Sequence, residues 1–334
     1  MLFVVLYHSC VFWSGSWFTV VKISASSSFY SFFCEWLNHF HVYGFTIASG
    51  FIFAYQRIEK NRYHSFKRLL QTKAKRLLVP YIVLTFVWVI PITQLFYHYS
   101  VRELVERYAL GVSPSQLWFL LMLFGVFVIT WPLIPQIIQG SIKTNIIIIL
   151  LYQLIGIVGS KITANYYCIW TACEFTCYFI LGIMLYLKRD RIISLRFSKL
   201  SIFVCSDIVL FLAIHFICAD EYNLAFKLIL FFVRIISKSL GGLCAFIILH
   251  RIFYKIFYKH NEIREYHIFK LLSRSSMTVY LFHQQLIFVS IYLLHNYLPT
   301  SIIVGINFMV SIIFGVILDW FLGKYTATRF LLGR

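Results

Sequence analysis

The chain has 334 residues, of which 60% are hydrophobic and only 13% charged, and its formal net charge is +18. Mean hydropathy is +0.81. A soluble domain carries about a quarter charged residues, so this composition excludes an ordinary soluble enzyme and points to a bilayer. Apolar windows of about 20 residues recur along the whole length, the pattern of a polytopic helical membrane protein; a membrane barrel would alternate apolar and polar residues instead. The basic residues are bunched between windows rather than gathered in one stripe, which argues against a nucleic-acid partner.

Ten windows follow in chain order: 1–21, 36–55, 77–98, 116–136, 144–160, 166–187, 200–218, 225–250, 273–294 and 301–323. The connection after the second carries Arg57, Lys60, Arg62, Lys67, Arg68, Lys73, Lys75 and Arg76 against Glu59 alone. The sixth is followed by Lys188, Arg189, Arg191, Arg196 and Lys199, the eighth by Arg251, Lys255, Lys259, Arg264 and Lys270, and the tail holds Lys324, Arg329 and Arg334. The other connections balance or lack charge: Lys22, Arg102 and Arg107 against Glu103 and Glu106, Lys161, and Asp220 with Glu221. The positive-inside rule puts the basic set in the cytoplasm. The expectation is an all-α, polytopic transmembrane helical bundle of about ten spans with both termini cytoplasmic.

No loop is long enough to form a soluble domain, so residues 1–334 read as one integral-membrane domain. The first window opens at Met1 with no basic flank, and so lacks both the n-region of a signal peptide and the usual anchor of a first span. An upstream natural start, or a shortened chain, is the expectation. The eight cysteines lie mostly in apolar windows. Cys173 and Cys177 share a helix face, but no histidine sits at metal-ligand spacing, so the cysteines read as small packing residues and no metal is expected.

Ionisable groups inside windows cost roughly 2.5–3.5 kcal/mol at mid-membrane on insertion scales and tend to mark function. They are His8, His41, Glu174, Asp207, His215, Arg234, Lys238, His283 and Asp319, with His39 just outside its window. Asp207, His215 and Asp319 lie near window ends, where an interfacial place is expected, and Lys238 can snorkel. His8, in VVLYHSCVFW, and His283, in VYLFHQQL, lie far from any loop, and imidazole is suited to take and return a proton. His41 opens the run FHVYGFTIASGF, which closes on Ser49 and Gly50, small residues that let helices approach closely. Lys73 and Arg76 stand three apart at the mouth of the third window, ahead of Pro80. They read either as a topology anchor or as a clamp on a polyphosphate. Trp118, beside Phe119, reads first as an interfacial aromatic.

Taken in order, these motifs resemble those of the integral-membrane acyltransferase family 3. The first span matches from Val4 to His8-Ser9. The second matches at His41, Phe45, Ser49 and Gly50, with Val42-Tyr43 in place of the usual Met-Pro. The third matches at Arg76-Leu77-Leu78-Val79-Pro80-Tyr81, with Lys73 where many members have arginine. Leu117–Leu120, Phe179–Gly182 and Ser276, Tyr280, Leu281 and His283 continue the pattern. The arginine that the family usually carries ten residues from the first histidine would fall before Met1.

The resemblance implies an O-acyltransferase that takes acyl-CoA, in the first place acetyl-CoA, as co-substrate from the cytoplasm, with no bound cofactor. Its acceptor would be a hydroxyl of a cell-surface saccharide or polysaccharide, or of its lipid-linked precursor, in a bacterial inner membrane and in contact with membrane lipids. His8 would be the general base or acyl carrier and His41 its catalytic partner, with Lys73 and Arg76 holding donor phosphates. Ser49, Trp118, Glu174, Tyr280 and His283 would support them. A transporter or flippase for a lipid-linked saccharide is the alternative, with no donor consumed. A polysaccharide polymerase would need larger external loops.

Overall fold

The computed structural model describes residues 1–14, 20–21, 27–193, 195–217, 223–259, 262–263 and 267–333. Lys22, Cys218, Asp220, Glu221, Arg264 and Arg334 lie outside the described residues. Ten long helices follow one another: α1 (Leu2–Ser14), α2 (Ser28–Ile58), α3 (Phe66–Tyr97), α4 (Ser115–Gln139), α5 (Ile142–Ile162), α6 (Tyr166–Leu187), α7 (Phe197–His215), α8 (Leu224–Phe257), α9 (His267–Leu294) and α10 (Thr300–Leu322). A two-residue antiparallel pairing of Tyr258–Lys259 with Glu262–Ile263 follows α8. Each predicted window falls on one of the ten helices. Among the described residues eight, α3 to α10, are long and apolar enough to cross a membrane, α8 through Ile229–Ile256. α1 is shorter than a span, and α2 carries Glu35, Asn38, His39 and His41 in its apolar run. The architecture is that of an all-α, polytopic membrane bundle.

α5 shows how these helices meet lipid. Ile146, Ile147, Leu150, Leu151, Leu154 and Val158 are all exposed, whereas Gln153, Gly156 and Gly159 are buried. An apolar exposed face with small and polar residues turned inward is the arrangement that hydrocarbon favours.

α3 is α-helical only in part. It widens into π turns at Ala74–Leu78 and Thr85–Val89, just ahead of Pro80 and Pro91. A proline has no N–H to bond four residues back, and its ring crowds that carbonyl. One wide turn relieves both conflicts without breaking the helix.

The chain divides into two units that interleave along the sequence. The first comprises Met1–Cys34, Asn61–Cys177 and Tyr266–Arg334. In it α1 packs on α9 and α10, which form an antiparallel pair. Cys10, Phe12, Trp13, Cys34, Ile287, Phe288, Ile291 and Ile303 form one apolar cluster between them. Asp319, near the end of α10, is buried within the protein, 2% exposed. The Thr278 hydroxyl donates to it at 2.6 Å, and Arg274 lies 3.6 Å away, so hydrogen bonding and an opposite charge offset its desolvation.

The second unit comprises Glu35–Lys60 and Tyr178–Glu265. Its tightest contact joins α2 to α6, backbone to backbone. A Cβ at Gly50 would fall on the Phe179 carbonyl, and one at Gly182 would fall on the Ile47 carbonyl. Only glycine fits at either position. Ser49 plays another part, its hydroxyl bonding back to the Phe45 carbonyl of its own helix at 3.0 Å.

Candidate active site

The first unit contains a cavity of about 330 Å³ whose wall includes His8, Ser113, Gln116, Trp118, Asn165 and Gln284. The helix starts of α4 and α6 form its rim. Ser115, Tyr167 and Cys168 all have positive φ, at 53°, 52° and 55°. Non-glycine residues in that region cost on the order of 1–3 kcal/mol each and persist only where the surroundings hold them. Here the Tyr167 N–H donates to the Leu110 carbonyl at 2.8 Å, and the Cys168 thiol donates to the Gly111 carbonyl at 3.4 Å. Asn165 accepts from the Trp170 and Thr171 amides and donates to the Thr171 hydroxyl at 2.7 Å. Two loops with strained backbones are thus pinned beside the cavity, and α6 starts at a fixed place.

α9 supplies the opposite wall. His283 is fully buried, and its Nδ1 lies 2.7 Å from the Tyr280 carbonyl of its own helix. A carbonyl only accepts, so Nδ1 carries the proton, and in the neutral ring Nε2 is an acceptor. That Nε2 lies 2.9 Å from Nδ1 of His8. His8 Nδ1–H is therefore the donor, and the basic nitrogen of His8 is Nε2. The hydrogen bonding assigns this tautomer without reference to any substrate. An imidazole so held can accept a proton at Nε2 while His283 steadies the charge that forms.

Polar side chains fix α9 against α4. The Gln116 amide donates to Gln285 Oε1 at 2.6 Å and to the Leu281 carbonyl at 3.1 Å, and the Gln285 amide donates back to Gln116 Oε1 at 3.0 Å. The Tyr280 hydroxyl donates to the Gln116 carbonyl. Both glutamines are buried. On the other flank the Trp88 indole donates to the Phe282 carbonyl at 3.3 Å.

The structure thus brings together His8, His283, Tyr280 and Trp118 from the predicted set. Trp118 lines the cavity and stands edge-on to Phe175, with ring centres 5.7 Å apart. Glu174 points elsewhere, against Gly156 of α5, and its carbonyl accepts from Gln153 at 2.6 Å. Lys73 and Arg76 differ in setting. A π turn starts at Ala74, between them, and Arg76 is exposed whereas Lys73 is buried. Lys73 Nζ sits 3.8 Å from the centre of the Phe127 ring and 4.8 Å from that of Tyr63. Such a seat is a cation–π cage. His41 and Ser49 belong to the second unit, where His41 is buried with Nδ1 2.7 Å from the Leu37 carbonyl.

Sequence reading missed Gln116, Gln284, Gln285, Asn165 and Thr171. The run His283-Gln284-Gln285 inside an apolar window was the available signal, since three hydrogen-bonding side chains in succession always turn one toward a partner.

No curated protein and no solved structure matches the chain. The model of one family, described as an acyltransferase domain, matches residues 1–320, nearly the whole length. The chain belongs to that family, acyltransferase family 3, and is a multi-pass membrane acyltransferase.

Proposed function

We propose that the protein moves an acetyl group from cytoplasmic acetyl-CoA to a hydroxyl of a cell-surface polysaccharide or of its lipid-linked precursor, as one membrane domain in a bacterial inner membrane. The observation that carries the reading is the hydrogen-bonded series Tyr280 carbonyl, His283, His8, ending at the wall of a polar cavity. In this reading His8 Nε2 takes the proton of the acceptor hydroxyl as the oxygen attacks the thioester carbonyl. The C–S bond breaks, the thiolate of CoA leaves, and the proton on His8 passes to that sulfur, which restores the base. Oxygen gains the acyl group, and nothing is oxidised or reduced. A hydroxyl acceptor suits the cavity, because Ser113 and Gln284 bring a hydroxyl and an amide to its wall.

Donor binding is assigned to Arg76, which is exposed on the basic connection. Lys73 joins it only if a donor phosphate draws the ammonium from its aromatic cage. His41, with Nδ1 on the Leu37 carbonyl, is proposed as a second proton-handling group.

Purified protein fed radiolabelled acetyl-CoA tests the reading. Donor hydrolysis or transfer that vanishes in His8→Ala supports it. No turnover by the unaltered chain, or full turnover by His8→Ala, overturns it.

A further inference from the structure

The second unit has a cavity of its own, about 330 Å³, among α2, α7 and α8. The acyl-transfer reading makes no use of it. Its wall carries three formal charges. One is the Glu35 carboxylate, whose Oε2 lies 2.7 Å from His215 Nδ1; His39, also on the wall, has its Nε2 2.8 Å from Asp207 Oδ1. The other two are cations, Arg234 and Lys238, one turn apart on α8.

Neither cation has a carboxylate within 4.0 Å among the described residues. Lys238 Nζ instead stands 5.1 Å from the centre of the Tyr43 ring. Ser237 lies between them on α8, is 1% exposed and lines the same cavity, yet its hydroxyl has no hydrogen-bond partner among the described residues. A buried hydroxyl left unsatisfied costs on the order of 1–3 kcal/mol. Snorkelling would carry both cations away from the cavity, but both line it. A guanidinium, an ammonium and an unsatisfied hydroxyl on one helix face together supply what an oxyanion needs: neutralising charge, a bidentate fork and a further donor.

We propose that this cavity binds a phosphate group, held by Arg234 and Lys238 and hydrogen-bonded by Ser237. Phosphate chemistry has two sources here, a soluble phosphate or the headgroup of an anionic lipid.

The test uses the full chain purified in a maltoside detergent, which contains no phosphate. One arm titrates inorganic phosphate by calorimetry. The other measures retention of phosphatidylglycerol against diacylglycerol by native mass spectrometry. Saturable phosphate binding, weakened at least tenfold in the double variant Arg234→Gln/Lys238→Gln and several-fold in Ser237→Ala, supports the proposal with a soluble source. Selective retention of phosphatidylglycerol, lost in the same variants, supports it with a lipid source. If the unaltered chain binds neither, the proposal is overturned, whether or not the double variant folds. Neither readout depends on acyl transfer.

Discussion

His8 Nδ1 lies 2.9 Å from His283 Nε2, and His283 Nδ1 lies 2.7 Å from the Tyr280 carbonyl. Two residues 275 positions apart in sequence thus set one another's protonation geometry. The relationship separates their roles. His8→Ala removes the proposed base itself and should lower kcat by about 10²–10⁴-fold. His283→Ala leaves the base in place but unoriented, and should lower kcat by a smaller factor with KM for acetyl-CoA unchanged. Steady-state kinetics of the two variants checks this, and equal losses in KM would refute it.

The Gln116–Gln285 pair makes two reciprocal amide bonds in a buried setting. Removing either partner leaves the other unsatisfied, a cost of about 1–3 kcal/mol. The double change Gln116→Leu/Gln285→Leu should cost less than the sum of the singles. A double-mutant cycle on thermal unfolding measures the coupling, expected within about 0.5–3 kcal/mol.

Gly50 admits no side chain against the Phe179 carbonyl, whereas the Ser49 hydroxyl serves only its own helix. Gly50→Ala should therefore destabilise by at least about 1–3 kcal/mol, the usual cost of overpacking. Ser49→Ala should stay within about 0.5 kcal/mol. Melting temperatures in detergent compare the two directly. Similar behaviour of both variants would contradict the close α2–α6 approach.

Lys73 and Arg76 should part company as well. Arg76→Ala is expected to raise KM for acetyl-CoA with little effect on stability. Lys73→Met empties the cation–π cage of Phe127 and Tyr63 and should cost about 0.5–2 kcal/mol of stability. Paired kinetic and unfolding measurements on each variant decide the matter.

Much of this was legible in the sequence because charge in hydrocarbon is costly. His8 and His283 stand out from apolar windows for that reason, and Pro80 marks the mouth of the third window, where α3 widens. Gly50 and Gly182 were visible as small residues, though not as partners of one contact. The glutamines were harder to see, since an uncharged amide in a membrane helix is tolerated once paired and its partner lies far along the chain. For Lys73 and Arg76, a spacing of three did not reveal the π turn between them, nor that one is buried and the other exposed. For Asp319, distance from a window end does not reveal the hydroxyl and the guanidinium beside it.

Chemical rescue of His8→Ala tests the central claim most directly. The cavity that His8 lines has room for a free imidazole. Acetyl transfer by His8→Ala should fall by two orders of magnitude or more, as expected for loss of a general base, and recover as added imidazole rises to saturation. A His8→Ala protein that turns over acetyl-CoA at the unaltered rate, indifferent to imidazole, would contradict the account.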